Sequence, residues 1–317
     1  MKPSLVVMDA AQVRAALSFK DCIPLMRGAM QALSAGEVAQ HLRSFLPVGE
    51  AGTFAIMPAV TPEGFGAKLV SVSTDDQGRR RHQGLVVLFD AGTGAPVFVG
   101  DAEEITRIRT AAASAAATDA LARADAEVMT ILGTGVQAQA HLCALSTVRP
   151  IRHIRIWGRN KDKAVALAAI ANLSHDITVT AHDTVAEACA GSDIITTVTA
   201  SREAFLAAEH ADAGCHINLV GSSGPATTEA ATDLVAKAVY IGDHRDHVLA
   251  HGGEFVRARE AGLIDNTHFV AEIGEVFGGL HPGRTSADQV TIYKSLGHAT
   301  QDLAAAVWLL RRHLRGQ

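Results

Sequence analysis

Two sets of residues in this sequence are of types that do chemistry, and the first is marked by its spacing as well. The first is Gly133-Thr134-Gly135-Val136-Gln137-Ala138, entered from the apolar run Val128-Met129-Thr130-Ile131-Leu132. A G-x-G-x-x-A turn between a strand and a helix cradles a dinucleotide. Gly133 permits the tight turn, Gly135 lets the backbone approach a pyrophosphate, and Ala138 keeps helix and strand close. The helix starting near Gln137 then offers free N–H groups and a positive dipole end to the phosphates. The next strand ends Ile156-Trp157-Gly158-Arg159-Asn160-Lys161. An NAD site usually places a carboxylate there, whereas Arg159 suits a 2′-phosphate. NADP(H) is therefore the expected cofactor, with NAD(H) possible. Asn160 and Lys163 are candidate contacts beside Arg159, and Val198, Thr199, Val220 and Gly221 are further ones. The second set is Arg43, Lys68 and Arg109, three cations in a half otherwise rich in apolar runs. Clustered, they would bind a substrate carboxylate.

Those groups need elements to hold them. In the first hundred residues, Asp21 to Ala35 has helical spacing in Ile23, Met26, Met30 and Leu33. Pro24 is placed in its first turn, and Gly36 ends it. Strands are expected at Thr53–Met57, Lys68–Val72, Leu85–Phe89 and Pro96–Val99, with Asp90 to Gly94 as a hairpin loop. This half reads as α+β. An alanine-rich helix is expected from Thr110 to Arg123. Strands are then expected at Val128–Leu132, Ile154–Trp157, Thr178–Ala181, Ile194–Val198, Ile217–Val220 and Val239–Ile241, alternating with helices. That alternation means an α/β domain, a Rossmann-type doubly wound parallel sheet. A last helix spans Ser295 to Arg315. No internal repeat or low-complexity linker interrupts the chain.

Bulk properties exclude other classes. With 48% hydrophobic and 19% charged residues, disorder is not expected. A net charge of -5 gives no footprint for nucleic acid, and Arg79-Arg80-Arg81 reads as a solvated loop. Cys22, Cys143, Cys189 and Cys215 are too far apart in sequence for a metal clip, so no metal is expected and the thiols read as reduced. Leu5-Val6-Val7-Met8 is too short for a signal peptide. The uncharged run Val128 to Val148 is interrupted by Gly133 and Gly135, so a membrane span is not expected either. A cytoplasmic protein is the expectation.

Several blocks together resemble the ornithine cyclodeaminase/μ-crystallin family over nearly the whole chain. They are Arg43 with Phe54-Ala55-Ile56-Met57-Pro58-Ala59, Gly66-Ala67-Lys68-Leu69-Val70-Ser71, Thr106-Arg107-Ile108-Arg109-Thr110-Ala111-Ala112, His216-Ile217-Asn218-Leu219-Val220-Gly221 and Lys294-Ser295-Leu296-Gly297. The resemblance implies a homodimer. Residues 1–110 with 295–317 would form the substrate-binding and dimerisation domain, and 111–294 the Rossmann domain. It implies that Arg43, Lys68 and Arg109 hold an α-carboxylate beside the nicotinamide. Thr110 and Ser114 are expected near the cofactor phosphates, and Lys294, Ser295 and Gly297 near its nicotinamide end.

Two departures bear on the reaction. Ser223 stands where the family's cyclodeaminases carry an acidic residue, and Ala55 where they carry a second carboxylate. Amine cyclisation with ammonia loss needs such a base. The serine pattern resembles the μ-crystallin branch and its ketimine reductase relatives. The leading reading is NADPH-dependent reduction of a cyclic imino acid, Δ1-pyrroline-2-carboxylate or Δ1-piperideine-2-carboxylate, to L-proline or L-pipecolate. Lys68 is the candidate proton donor, Ser223 a candidate for positioning the substrate nitrogen, and His82 a candidate substrate contact or relay. The alternatives are an amino-acid dehydrogenase reducing a linear imine, an ornithine cyclodeaminase, and a non-catalytic small-molecule binder.

Overall fold

The computed structural model describes residues 5–49, 52–74, 80–171 and 177–316; the side chains of 74 and 80–82 are outside the described set. The chain divides into two compact units, residues 1–110 with 298–317, and residues 111–297.

The first unit contains β1 (Val6–Met8), α1 (Ala10–Ala16), α2 (Phe19–Ser34), β2 (Ala39–Gln40), β3 (Ser44–Val48), β4 (Gly52–Thr61), β5 (Gly64–Thr74), β6 (Arg80–Phe89) and β7 (Pro96–Asp101). It also holds the start of α3 (Ala102–Leu121) and, from the far end of the chain, α11 (Ala299–Leu314). The strands form one sheet in the order β1-β7-β6-β5-β4-β2, with β3 also paired to β4. The ladders from β4 to β7 are antiparallel, and β1 joins β7 in parallel. Alternation assigns the faces. Ala55, Met57, Val86 and Leu88 are buried on one face, where α11 packs across β4 to β7 and against α2. The opposite face keeps Val7, Leu46, Val60 and Leu85 at 47–64% exposure.

Several boundaries differ from those expected. β1 and α1 gave no recognised pattern, although Asp9 and Gln12 form a reciprocal capping box (2.9 and 2.8 Å). Ser18 caps α2 through the Asp21 amide, so Pro24 sits in the second turn, where it costs the bond to the Lys20 carbonyl. α3 begins at Ala102 rather than Thr110, because Asp101 Oδ1 accepts from the Glu104 amide (2.7 Å). Arg80 and Arg81 are not in a loop. They pair with Thr74 and Ser73 in the β5–β6 ladder, since backbone pairing continues past the apolar run; Arg79 lies outside the described residues.

The second unit alternates as expected. It runs through β8 (Val128–Leu132), α4 (Val136–Leu145), β9 (His153–Trp157), α5 (Lys161–Ile170), β10 (Thr178–Ala181), α6 (Val185–Cys189), β11 (Ile194–Thr197), β12 (His216–Leu219), α7 (Thr232–Lys237) and β13 (Val239–Gly242). Then follow α8 (Arg245–His251), α9 (Gly253–Glu260), β14 (Phe269–Glu272), α10 (Ile273–Phe277) and β15 (Thr291–Lys294). All strands are parallel, in the order β10-β9-β8-β11-β12-β15-β13-β14. The winding reverses between β8 and β11, the switch point at which such sheets bind ligands beyond the strand C-termini. β14 and β15 were not anticipated. β15 is four residues long and ends in a lysine, yet it lies mid-sheet with every residue buried. The last helix starts at Ala299, not Ser295. Ser295–Gly297 form a turn in which Asp243 Oδ2 accepts from the Leu296 and Gly297 amides (2.5 and 2.8 Å).

Candidate active site

The first unit brings together two of its three expected cations directly. Lys68 lies on the covered face of β5, between Met57 of β4 and Val86 of β6. Its Nζ is 3.4 Å from Asp302 Oδ1 on α11. Arg109, from α3, donates to the same oxygen through Nε (2.9 Å) and to Gln301 Oε1 through Nη1 (2.9 Å). Lys68, Arg109, Gln301 and Asp302 are all buried. Burial pushes the Lys68 ammonium down to about 8. Asp302 pulls it back up, and Arg109 and Arg43 press it further down. Arg43, half-buried just before β3, thus acts on Lys68 through its charge. His82 pairs with Val72 in the ladder, and its side chain is outside the described residues.

The second unit supplies the dinucleotide cradle. Gly133 has φ +139°, a conformation that L side chains rarely adopt, and an added Cβ would lie 2.9 Å from the Val198 carbonyl oxygen. Gly135 is the N-cap of α4 and offers no side-chain cap, and nothing lies within 4 Å of where its Cβ would be. Around the start of α4, Thr134 and Gln137 are half-buried and Val136 is exposed. Ala138 is buried beneath the turn. These features fit a pyrophosphate. At the end of β9, Arg159, Asn160 and Lys163 are exposed, and Asn160 Oδ1 caps α5 through the Lys163 amide (3.0 Å). Asp183, after β10, is ion-paired to Lys161 (2.6 Å), so its charge is balanced.

A buried carboxylate ties the neighbouring strand ends together. Glu229 Oε1 accepts from the Thr199 amide and hydroxyl (2.6 and 2.7 Å). Its Oε2 accepts from Thr197 Oγ1 and the Gly221 amide (both 2.7 Å), and from the Ser222 amide (3.2 Å). Burial pushes its carboxyl upward, against Lys294 and these donors. Glu254 accepts from the Glu229 amide (3.0 Å) and pairs with Lys294 Nζ (2.9 Å), which donates to the Ser222 carbonyl (2.6 Å). The loop after β12 is thereby held from below, with Ser222 buried and Ser223 exposed.

Several of the expected contacts have partners within the protein. Lys294 is fully buried in its pair with Glu254. Thr199 commits both donors to Glu229. Ser114 is fully buried and bonded to His141 Nε2 (2.9 Å). Burial pushes His141 down to about 4 and His216 to about 3, leaving both neutral. Thr110 and Ser295 are buried, Gly297 donates to Asp243, and Val220, the residue after β12, is buried. Asp302, Gln301, Glu229 and Glu254 were not singled out in the sequence. Asp302 had a readable signal, a carboxylate on the apolar stripe of a helix with Ala305, Ala306 and Leu309.

The profile of the ornithine cyclodeaminase/mu-crystallin family matches residues 4–317. The chain belongs to that family. Among family relatives, a Mus musculus protein named ketimine reductase mu-crystallin is 33% identical over 315 residues, 96% of each chain. A Bacillus cereus protein named Delta(1)-pyrroline-2-carboxylate reductase is 31% identical over 315 residues, 97% of this chain and 96% of its own. Among solved structures, the Thermococcus litoralis Delta(1)-pyrroline-2-carboxylate reductase in complex with NADH and L-proline matches with a TM-score of 0.93. It is 29% identical, over 98% of both chains. An archaeal alanine dehydrogenase dimer with bound NAD matches at 0.91, also 29% identical, over 98% of this chain and 97% of its own. No helix among the described residues is long and apolar enough to cross a membrane.

Proposed function

We propose that this family member reduces the C=N bond of a cyclic imino acid, Δ1-pyrroline-2-carboxylate or Δ1-piperideine-2-carboxylate, to the cyclic amino acid, using NADPH. The observation that carries this reading is the Lys68 site. A buried ammonium pushed down to about 8 can give up a proton near neutral pH, and it stands beside Arg109 under the charge of Arg43. The cations hold the substrate carboxylate. Lys68 Nζ holds the proton destined for the imine nitrogen, and Ser223 orients that nitrogen. A nicotinamide held there would supply the hydride for the imine carbon. Gly133, Gly135 and the first turn of α4 hold the pyrophosphate. The names of the mouse and B. cereus relatives support the substrate class.

Exposed Arg159, Asn160 and Lys163 support a 2′-phosphate, hence NADPH. A tenfold preference for NADH in kcat/KM would overturn that choice. The test of the reaction is a panel of cyclic imino acids, with pyruvate plus ammonia as the linear-imine arm, followed by loss of reduced-nicotinamide absorbance. The archaeal alanine dehydrogenase likeness motivates that arm. Turnover of neither cyclic compound, with NADPH bound, refutes the reading. Val7, Leu46, Val60 and Leu85 on the open face of the first sheet support a second copy of the chain as its cover, giving a homodimer.

A further inference from the structure

Carboxylates rarely occupy fully buried positions unless paired. Asp302 is fully buried, on the stripe of α11 that carries Ala305, Ala306 and Leu309. One of its oxygens, Oδ1, meets both Arg109 Nε (2.9 Å) and Lys68 Nζ (3.4 Å). The other, Oδ2, is buried and takes no hydrogen bond among the described residues. Its charge is left to act on the same two cations. Gln301 steadies the arrangement from the adjacent position, accepting from Arg109 Nη1 and meeting Met30 Sδ at 3.3 Å.

We propose that Asp302 is the positioning residue of the proton-donating site, the carboxylate that holds Lys68 and Arg109 together and keeps the Lys68 ammonium charged. This rests on the reading of Lys68 as proton donor. The charged groups acting on Lys68 are Asp302 on α11, Arg109 on α3 and Arg43 before β3. β4 and β6 present apolar Met57 and Val86 to it. Cys22 of α2 sits among the same charges, and burial pushes its thiol up to about 12, so it stays neutral. The shared carboxylate thus sits between the Lys68 ammonium and the Arg109 guanidinium, both buried with it. Without Asp302, burial and two like charges would drive the proton off Lys68 at neutral pH, and the donor would be empty.

Asp302→Asn keeps the shape and an acceptor for Arg109 while removing the charge. Two measurements read the result. In the substrate-free protein, Lys68 is titrated by NMR after reductive 13C-methylation, with its signal assigned by loss in Lys68→Arg. The titration should fall by roughly one pH unit or more. In imine reduction, the alkaline limb of kcat should move down with it, while KM holds or drops because positive charge is uncovered. An unmoved Lys68 titration overturns the proposal. So does a raised KM with an unmoved pH profile, which would mark Asp302 as scaffold alone. If Asp302→Asn does not fold, Asp302→Glu retains the charge and shifts it by one methylene. Lys68 should then titrate within a few tenths of a unit of wild type, and a fall of a full unit overturns the idea. Failure of the functional reading looks different: wild type reduces no imine, yet the titration still moves.

Discussion

Replacing Lys294 with methionine removes one charge from a pair in which both partners are fully buried. Lys294 Nζ stands 2.9 Å from Glu254 Oε2 and 2.6 Å from the Ser222 carbonyl oxygen, with both side chains at 0% exposure. Breaking a buried pair by removing one partner costs about 3–5 kcal/mol, because the remaining charge is left without compensation. For a folding unit the size of residues 111–297, each kcal/mol moves Tm by about 2–4 °C. Lys294→Met should therefore lower the unfolding temperature by roughly 6–20 °C in calorimetry. Adding Glu254→Gln removes the orphaned charge, while the new amide oxygen can still accept from the Glu229 amide. The double variant should recover part of the loss; buried Glu229 still lacks the Lys294 charge but keeps its hydrogen-bond donors. A single variant within about 1 kcal/mol of wild type would refute this account of the network. A double variant no more stable than the single would refute it too.

Three further outcomes follow from the geometry. kcat for imine reduction should fall as pH rises through about 8, since Lys68, the proposed donor, loses its proton, and Lys68→Met should flatten that limb while lowering kcat by about 10²–10⁴; a wild-type kcat level well above pH 8 would exclude Lys68 as donor. Gly133→Ala places a Cβ 2.9 Å from the Val198 oxygen in a left-handed conformation, so NADPH affinity by fluorescence titration should drop at least about tenfold; unchanged affinity would show that the turn adapts. Leu85→Glu puts a charge on the sheet face proposed to meet a second copy, and sedimentation should show the proposed dimer giving way to monomer; an unchanged sedimentation coefficient would exclude this face as the interface.

The dinucleotide half was legible because its signals are local. The β8–α4 turn needs Gly133 for a backbone conformation, and the run from Val128 to Leu132 needs only strand length and apolarity. β15 was not legible. Its burial comes from β12 and β13 on either side, and four residues ending in Lys294 carry no periodic mark of that. The cations were legible as residue types. Their partners were not, because Lys68 and Asp302 are separated by most of the chain and only strand pairing with helix packing brings them together.

By itself, then, the sequence determined the Rossmann-type alternation, the glycine turn and the identity of Arg43, Lys68 and Arg109, all properties of residues near one another in the chain. The tertiary structure decided which charges are spent and which are available. It buried Lys294 against Glu254 and committed Thr199 to Glu229, while Asp302 was set against Lys68 and Arg109. The physical reason is that a side chain's charge and hydrogen-bonding capacity depend on burial and on partners distant in sequence, neither of which local spacing encodes.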